Sequence, residues 1–333
     1  MSEGSGPPEF VEHLTDLQDR DHVVTIGTFD GVHRGHQFLL DQVTARARQL
    51  QVPALIVTFE PVPAQVLRPE HFAGRLSSAA TKLDLLAACH ADAIAVLAFT
   101  RSLSQLGAEE FMSSLVAHAR PREVWVGEAF ALGRNRMGDV ERLRTIGHDL
   151  GYRLYAVPRL EDDGLVISSS AIRQMILNGQ PEQAARGLGR YFRMEGEVVH
   201  GAHVGRTIGF PTANVVPPAD IVRLPDGIYA TLAVLPGRER SLPAMTYIGT
   251  RPALNTGARL IETHILDFDE DIYGQWIGVD FVAHLRGDAT FPSLDELIAQ
   301  LRADEVAARM TFSRLSSAET EALTPARASA GLR

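Results

Sequence analysis

Short apolar runs alternate with amphipathic stretches from Val23 to Pro158, and then the alternation stops. VVTIG (23–27), ALIVTF (54–59), AIAVLAF (93–99), EVWVG (123–127) and RLYAVP (153–158) are rich in β-branched residues and read as buried strands. Between them, residues 35–50 carry apolar side chains at 38, 39, 40, 43, 47 and 50, which is helical spacing, and 81–89, 109–119 and 139–150 follow the same pattern. That order predicts a parallel α/β sheet with helices on both faces. In such sheets ligands sit beyond the C-terminal ends of the strands, so the loops after Gly27, Phe59 and Gly127 should face one crevice.

After about residue 190 the strands follow one another with no helix between them. Residues 192–201, 227–235, 242–249, 261–268 and 276–285 read as strands separated by turn residues. They predict an antiparallel β-barrel, followed by a terminal helix over 294–312 with Ser293 as its N-cap. The expected domains are a mobile arm (1–20), an α/β domain (21–188), a barrel domain (189–315) and a fraying tail (316–333).

A net charge of −9 argues against a nucleic-acid binder, which needs a basic face, and leaves room for small anionic substrates held by local Arg and His. The one cysteine, Cys89, lies in an apolar helical pattern and reads as a core residue. The N-terminal residues lack a basic start followed by an apolar stretch, and no apolar run approaches the length of a membrane span. A cytoplasmic protein without membrane contact is expected.

Two segments carry the chemistry. The strand ending at Gly27 runs into Thr28-Phe29-Asp30-Gly31-Val32-His33-Arg34-Gly35-His36 and then a helix. Two histidines three apart at a helix start can project toward one point, where free N–H groups and the helix dipole already favour anions. Such a corner suits attack on the α-phosphate of ATP, which builds charge on phosphoryl oxygens. Farther on, ISSSAIR (167–173) opens a helix expected over 170–178. Ser169 or Ser170 is either a helix cap or, with Arg173, a phosphate grip.

The second segment is GRTIGFPTAN (205–214). Gly205 and Gly209 permit a loop and Pro211 stiffens it, while Thr212 and Asn214 alternate as strand positions do and point to one face. A hydroxyl and an amide oxygen are hard ligands suited to magnesium. Glu262 in IETHILDF is the candidate base for phosphorylating an alcohol, or equally a solvated outward residue sharing a face with His264.

These residues resemble the bacterial bifunctional riboflavin kinase/FMN adenylyltransferase family, also called FAD synthetase. The match includes TIGTFDGVHRGHQ (25–37), TFEPVPAQVLRP (58–69), VGEAFALGRNRMGD (126–139), ISSSAIR, GRTIGFPTANV (205–215) and IETHILDFDEDIYG (261–274). The resemblance implies an N-terminal Rossmann-like nucleotidyltransferase domain and a C-terminal riboflavin kinase barrel. It implies phosphorylation of riboflavin to FMN and adenylylation of FMN to FAD, with ATP as co-substrate, Mg2+ as cofactor and apo-flavoproteins as recipients of FAD. It assigns Gly27, Phe29, His33, His36, Ser169 and Arg173 to ATP in the first domain, and Arg136 and Asp139 to the nucleotide and flavin pocket. In the kinase it assigns Gly205, Arg206, Thr212 and Asn214 to ATP and metal and Glu262 to the base, with Gly227 and Tyr229 near the nucleotide or shaping the barrel. The sequence departs from the family at Val62, where many relatives have His, and at Ala129, Ala253 and Thr290. Val62 and Ala129 touch the adenylyltransferase pocket, which raises a narrower alternative: a kinase whose adenylyltransferase is weakened. A binding regulator without turnover is a further alternative, opposed by the intact phosphate corners.

Overall fold

A computed structural model describes residues 6–201, 204–250 and 259–315. Among these the chain forms two compact units, one from residues up to 73 and from 79–168, the other from 74–78 and from 169 onward.

In the first unit the strands are β1 (Glu9–Val11), β2 (His22–Ile26), β3 (Ala54–Glu60), β4 (Ala93–Ala98) and β5 (Pro121–Gly127). Two short pairs follow, β6 (Ala131–Leu132) with β7 (Gly138–Asp139) and β9 (Glu161–Asp162) with β10 (Leu165–Val166), and β8 (Arg153–Val157) lies between the pairs. Six of them form one parallel sheet in the order β1-β4-β3-β2-β5-β8. The chain winds outward one way from β2 to β3 and β4, then the other way to β5 and β8, so the crevice falls at the C-terminal ends of β2 and β5.

Helices cover both faces. On one, α1 (Arg34–Leu50) and α3 (Ala79–Ala87) bury Leu39, Leu40, Val43, Ala47 and Leu86 against Val23, Ile56 and Ile94. On the other, α4 (Ala108–Ala119) and α5 (Val140–Leu150) bury Phe111, Leu115, Leu143 and Ile146 against Val24, Leu55, Val57 and Val126. A buried Leu contributes about 1.5–3 kcal/mol. The short α2 (Pro63–Leu67) follows β3.

Part of the expected mobile arm is instead built into the sheet. Glu9–Val11 pairs with β4 in parallel, and Val11, Leu14 and Leu17 are buried in the second of those cores. Three spaced apolar side chains suffice to hold a segment too short to show periodicity.

His22 opens β2 and is buried, its Nδ1 donating to the Ala119 carbonyl oxygen at 2.7 Å. Burial, partly opposed by that hydrogen bond, holds its pKa below the ordinary 6.5. The unfolded chain therefore takes up a proton at a pH where the folded one does not, and folding stability falls as pH drops through 6.5. Urea unfolding between pH 8 and 5.5 should show this loss, and His22→Gln should flatten it.

The second unit begins with α6 (Ser169–Leu177) and α7 (Pro181–Leu188), which were expected with the first domain. Glu182 on α7 accepts from the His284 backbone N–H at 3.0 Å, tying α7 to the barrel. The barrel strands are β11 (Phe192–Val199), β12 (Ala213–Val216), β13 (Gly227–Val234), β14 (Leu242–Thr250), β15 (Arg259–Ile265) and β16 (Trp276–Gly287). They close antiparallel in the order β11-β12-β15-β14-β13-β16. Within the barrel the buried hydroxyls of Thr231, Thr246 and Thr263 form a chain of hydrogen bonds at 2.7 and 3.0 Å, beside the edge-to-face rings of Tyr229 and Phe281. The short α8 (Val204–Thr207) precedes β12. The expected terminal helix is α9 (Leu294–Arg314), capped by the Ser293 hydroxyl, and it packs on the outside of β13, β14 and β16. Ala253 and the segment from 316 onward lie outside the described residues.

Candidate active sites

The chain leaves β2 through a turn that only unusual backbone can make. Phe29, Gly31 and Val32 all have positive φ, at 51°, 77° and 37°. The turn brings Phe29 back over Gly27, where an added Cβ would lie 2.8 Å from its ring. The same ring meets His36 edge-on at 5.2 Å.

His33 is the N-cap of α1. The His36 backbone N–H lies 3.3 Å from its Nδ1 and 2.7 Å from its carbonyl oxygen. With Nδ1 accepting, a neutral His33 carries its proton on Nε2. The two imidazoles stack at 3.6 Å with 17° between their planes, so both stand over one helix mouth as the spacing predicts. Arg34 points elsewhere, pairing with Asp162 at 3.0 Å. A ring pair, helix N–H groups and a helix dipole in one place form a corner for a polyphosphate.

After β5 the chain makes the β6–β7 hairpin. Arg136, exposed and with φ 58°, donates to the Ala129 carbonyl oxygen at 3.2 Å. Asp139 is the N-cap of α5, Oδ1 accepting from the Arg142 backbone N–H at 2.8 Å. Val62, at the expected His position, is buried at 3% exposure, and Ala129 is exposed. Ser169 and Arg173 stand on α6 in the second unit. Because α6 starts at Ser169, the residue ahead of its first turn is Ser168 rather than Ser169 or Ser170. Arg173 Nε donates to the Gly74 carbonyl oxygen at 2.7 Å.

In the barrel unit, two cavities adjoin. One, of about 470 Å³, is lined by Gly205, Arg206, Thr212, Asn214 and the acidic loop from Asp269 to Asp271. The other, about 340 Å³ and mostly apolar, lies on the outer face of the barrel beneath α9, among Ile228, Met245, Tyr247, Phe291 and Leu301. Gly205 and Thr212 line both. Glu262 lines the second and is 7% exposed, so it is not a solvated outward residue.

Asn214 and Glu262 face each other in register across β12 and β15. Directly opposed residues in an antiparallel pair share a face, with Cβ atoms about 4.5–5.5 Å apart. The buried carboxylate therefore sits beside the amide at the seam between the cavities. His264 is fixed on the same face, its Nδ1 donating to the Pro211 carbonyl oxygen at 2.7 Å.

The glycines here are spatial requirements. A Cβ at Gly201 would overlap the Asn214 amide, and one at Gly205 would overlap the Phe210 carbonyl oxygen. Gly205→Ala should displace the turn that carries Thr212 and lower turnover in the cavity it lines by about 10²-fold, leaving any reaction at the His33–His36 corner unchanged. Assaying both reactions on the one variant checks this.

The donor set fits magnesium. Thr212 and Asn214 offer hard oxygens, Asn214 is 8% exposed and held against Gly201, and the acidic loop lines the same cavity. Magnesium takes most of its ligands from phosphate and water, so a few side-chain oxygens suffice.

A parallel sheet with paired imidazoles at a helix mouth, joined to a barrel with a carboxylate between two cavities, defines a two-part enzyme of phosphoryl and nucleotidyl transfer. Residues 15–171 match the family model for FAD synthetase, and residues 188–312 match that for riboflavin kinase. The bifunctional riboflavin kinase/FMN adenylyltransferase of Escherichia coli K12 is 38% identical over 303 residues, covering 91% of this chain and 96% of that protein. Its namesake from Pseudomonas fluorescens is 37% identical, covering 88% and 93%. The chain belongs to the bifunctional riboflavin kinase/FMN adenylyltransferase family. A crystal structure of a macrolide-efflux protein, so named, from Streptococcus pneumoniae aligns with a TM-score of 0.81 at 29% identity, covering 92% of this chain and 99% of that one. No helix among the described residues is long and apolar enough to cross a membrane.

Proposed function

We propose that this chain phosphorylates riboflavin to FMN in its barrel unit and adenylylates FMN to FAD at the His33–His36 corner, consuming ATP in each step. The observation that carries the reading is Asn214 and Glu262 in register at the seam of two adjoining cavities. The apolar cavity suits a flavin ring, and the polar one suits a nucleotide.

In the kinase step the 5′-hydroxyl oxygen of the ribityl chain attacks the γ-phosphorus of ATP, and the bond from that phosphorus to the β–γ bridging oxygen breaks. Glu262 takes the hydroxyl proton. Thr212 and Asn214 would hold Mg2+ with the phosphates, where the ion would offset their charge. Gly205 and Arg206 border the nucleotide.

In the adenylyl step a phosphate oxygen of FMN attacks the α-phosphorus of ATP, and pyrophosphate leaves. An FMN phosphate is already nucleophilic at neutral pH, so alignment and charge stabilisation do the work. His33, His36 and the α1 N-terminus meet the charge, and Gly27 and Phe29 shape the turn. Arg136 and Asp139 border the flavin in this reading, an assignment that rests on the family resemblance. We take the first unit, up to residue 168, as the adenylyltransferase part and the barrel over 189–315 as the kinase part, in keeping with the family matches at 15–171 and 188–312. The enzyme works in the cytoplasm and supplies FAD to apo-flavoproteins.

Chromatography of products from riboflavin, ATP and Mg2+ tests the whole reading, with FMN appearing first and FAD after it; riboflavin returned unchanged would overturn it. The buried Val62 favours one narrower reading, a kinase with a weakened adenylyltransferase. Supplied FMN that yields no FAD while riboflavin still yields FMN would select that reading.

A further inference from the structure

Lys82 lies on α3, and its side chain is fully buried. A lysine without water needs acceptors for three N–H groups and a counter-charge. Here Nζ donates to Glu60 Oε1 at 2.5 Å and to the Phe59 carbonyl oxygen at 2.9 Å, and its third N–H is shared between Thr58 Oγ1 at 3.3 Å and the Thr28 carbonyl oxygen at 3.4 Å. Thr58 Oγ1 in turn donates to the same Thr28 carbonyl at 3.2 Å.

These acceptors lie at the C-terminal ends of two neighbouring strands. Thr58, Phe59 and Glu60 finish β3, and Thr28 is the first residue of the turn after Gly27. The next residue is Phe29, with φ 51° and its ring against His36. One ammonium thus clamps the start of the positive-φ turn to the end of β3, and Phe29 carries that constraint to the imidazole pair.

We propose that Lys82 is a positioning residue for adenylyl transfer, holding the Thr28–Phe29 turn so that His33 and His36 stand where phosphate charge develops. The proposal rests on the adenylyltransferase reading above. Lys82 touches no reacting atom in this scheme, so its loss should lower turnover far more than it weakens binding of ATP or FMN.

The chain has two tryptophans, Trp125 in the first unit and the exposed Trp276 in the second. In a Trp276→Phe parent, Trp125 fluorescence reports folding of the first unit alone. Lys82→Met in that parent should melt as the parent does by Trp125 and keep its riboflavin kinase activity. Its kcat for FAD from FMN should fall about 30-fold or more, with KM for ATP and FMN within about threefold. Lys82→Gln, which keeps two donors, should recover part of the loss.

A folded Lys82→Met with kcat within about threefold of the parent would overturn the proposal. If that variant unfolds by the Trp125 signal, Thr58→Val decides, because it removes one hydroxyl at nearly constant volume. A threefold to tenfold fall in kcat at unchanged KM, roughly, supports the clamp, and unchanged kcat overturns it. A parent that makes no FAD at all would instead defeat the adenylyltransferase reading on which the clamp depends.

Discussion

Glu262→Gln should lower FMN formation by about 10²–10⁴-fold, the usual contribution of a positioned general base. That range corresponds to about 2.7–5.4 kcal/mol of barrier. The substitution keeps the size and much of the hydrogen bonding of a side chain that is 7% exposed, so the barrel should stay folded. What it removes is the carboxylate beside Asn214 at the seam between the polar and the apolar cavity, the group to which the proposed kinase step gives the hydroxyl proton. The same protein given FMN should still make FAD at the wild-type rate. Parallel steady-state assays with riboflavin and with FMN check both halves of this expectation. Equal loss of the two activities would mean that Glu262 supports the whole chain rather than one reaction.

His36→Ala should do the reverse. It removes one of two stacked imidazoles and the ring that Phe29 packs against. Losing one preorganised donor to a developing oxyanion costs about 10²–10³-fold in turnover, near 2.7–4 kcal/mol. FAD formation should fall by at least that much, because the Phe29 turn also loses its packing partner. FMN formation should be unchanged, and assaying both products from one preparation separates this result from loss of protein.

The strands β2, β3, β4, β5 and β8, the barrel strands apart from β12, and the helices α1, α3, α4, α5, α6 and α9 were legible because each period is sustained over a whole element. Thirteen residues from Val24 to His36 also declared the first corner, since a buried strand, a glycine-rich turn and two histidines at a helix start leave few arrangements. Other features were not legible, each for a physical reason. Glu9–Val11 is a three-residue strand, too short for alternation to register, and the sheet edge rather than its own pattern holds it. Lys82 lies in a segment that the sequence marks only as helical, because nothing local shows that backbone carbonyls from the end of β3 and the turn after β2 surround it. Glu262 could be placed on a face by strand alternation, but that face lines a cavity walled on another side by Leu297 and Leu301 of α9, and no strand pattern reveals such a wall. The grouping of residues 74–78 with the second unit is of the same kind. It depends on backbone bonds from Arg75 to Asp220 and from Val222 to Arg75, between segments distant in sequence.

A complementation assay bears most directly on the claim that one chain holds two independent transfer sites. Equal amounts of the His36→Ala and Glu262→Gln proteins, given riboflavin, ATP and Mg2+, should make FAD together far faster than either does alone. The first supplies FMN to the intact imidazole corner of the second. FMN that accumulates in the mixture without conversion to FAD would contradict the account.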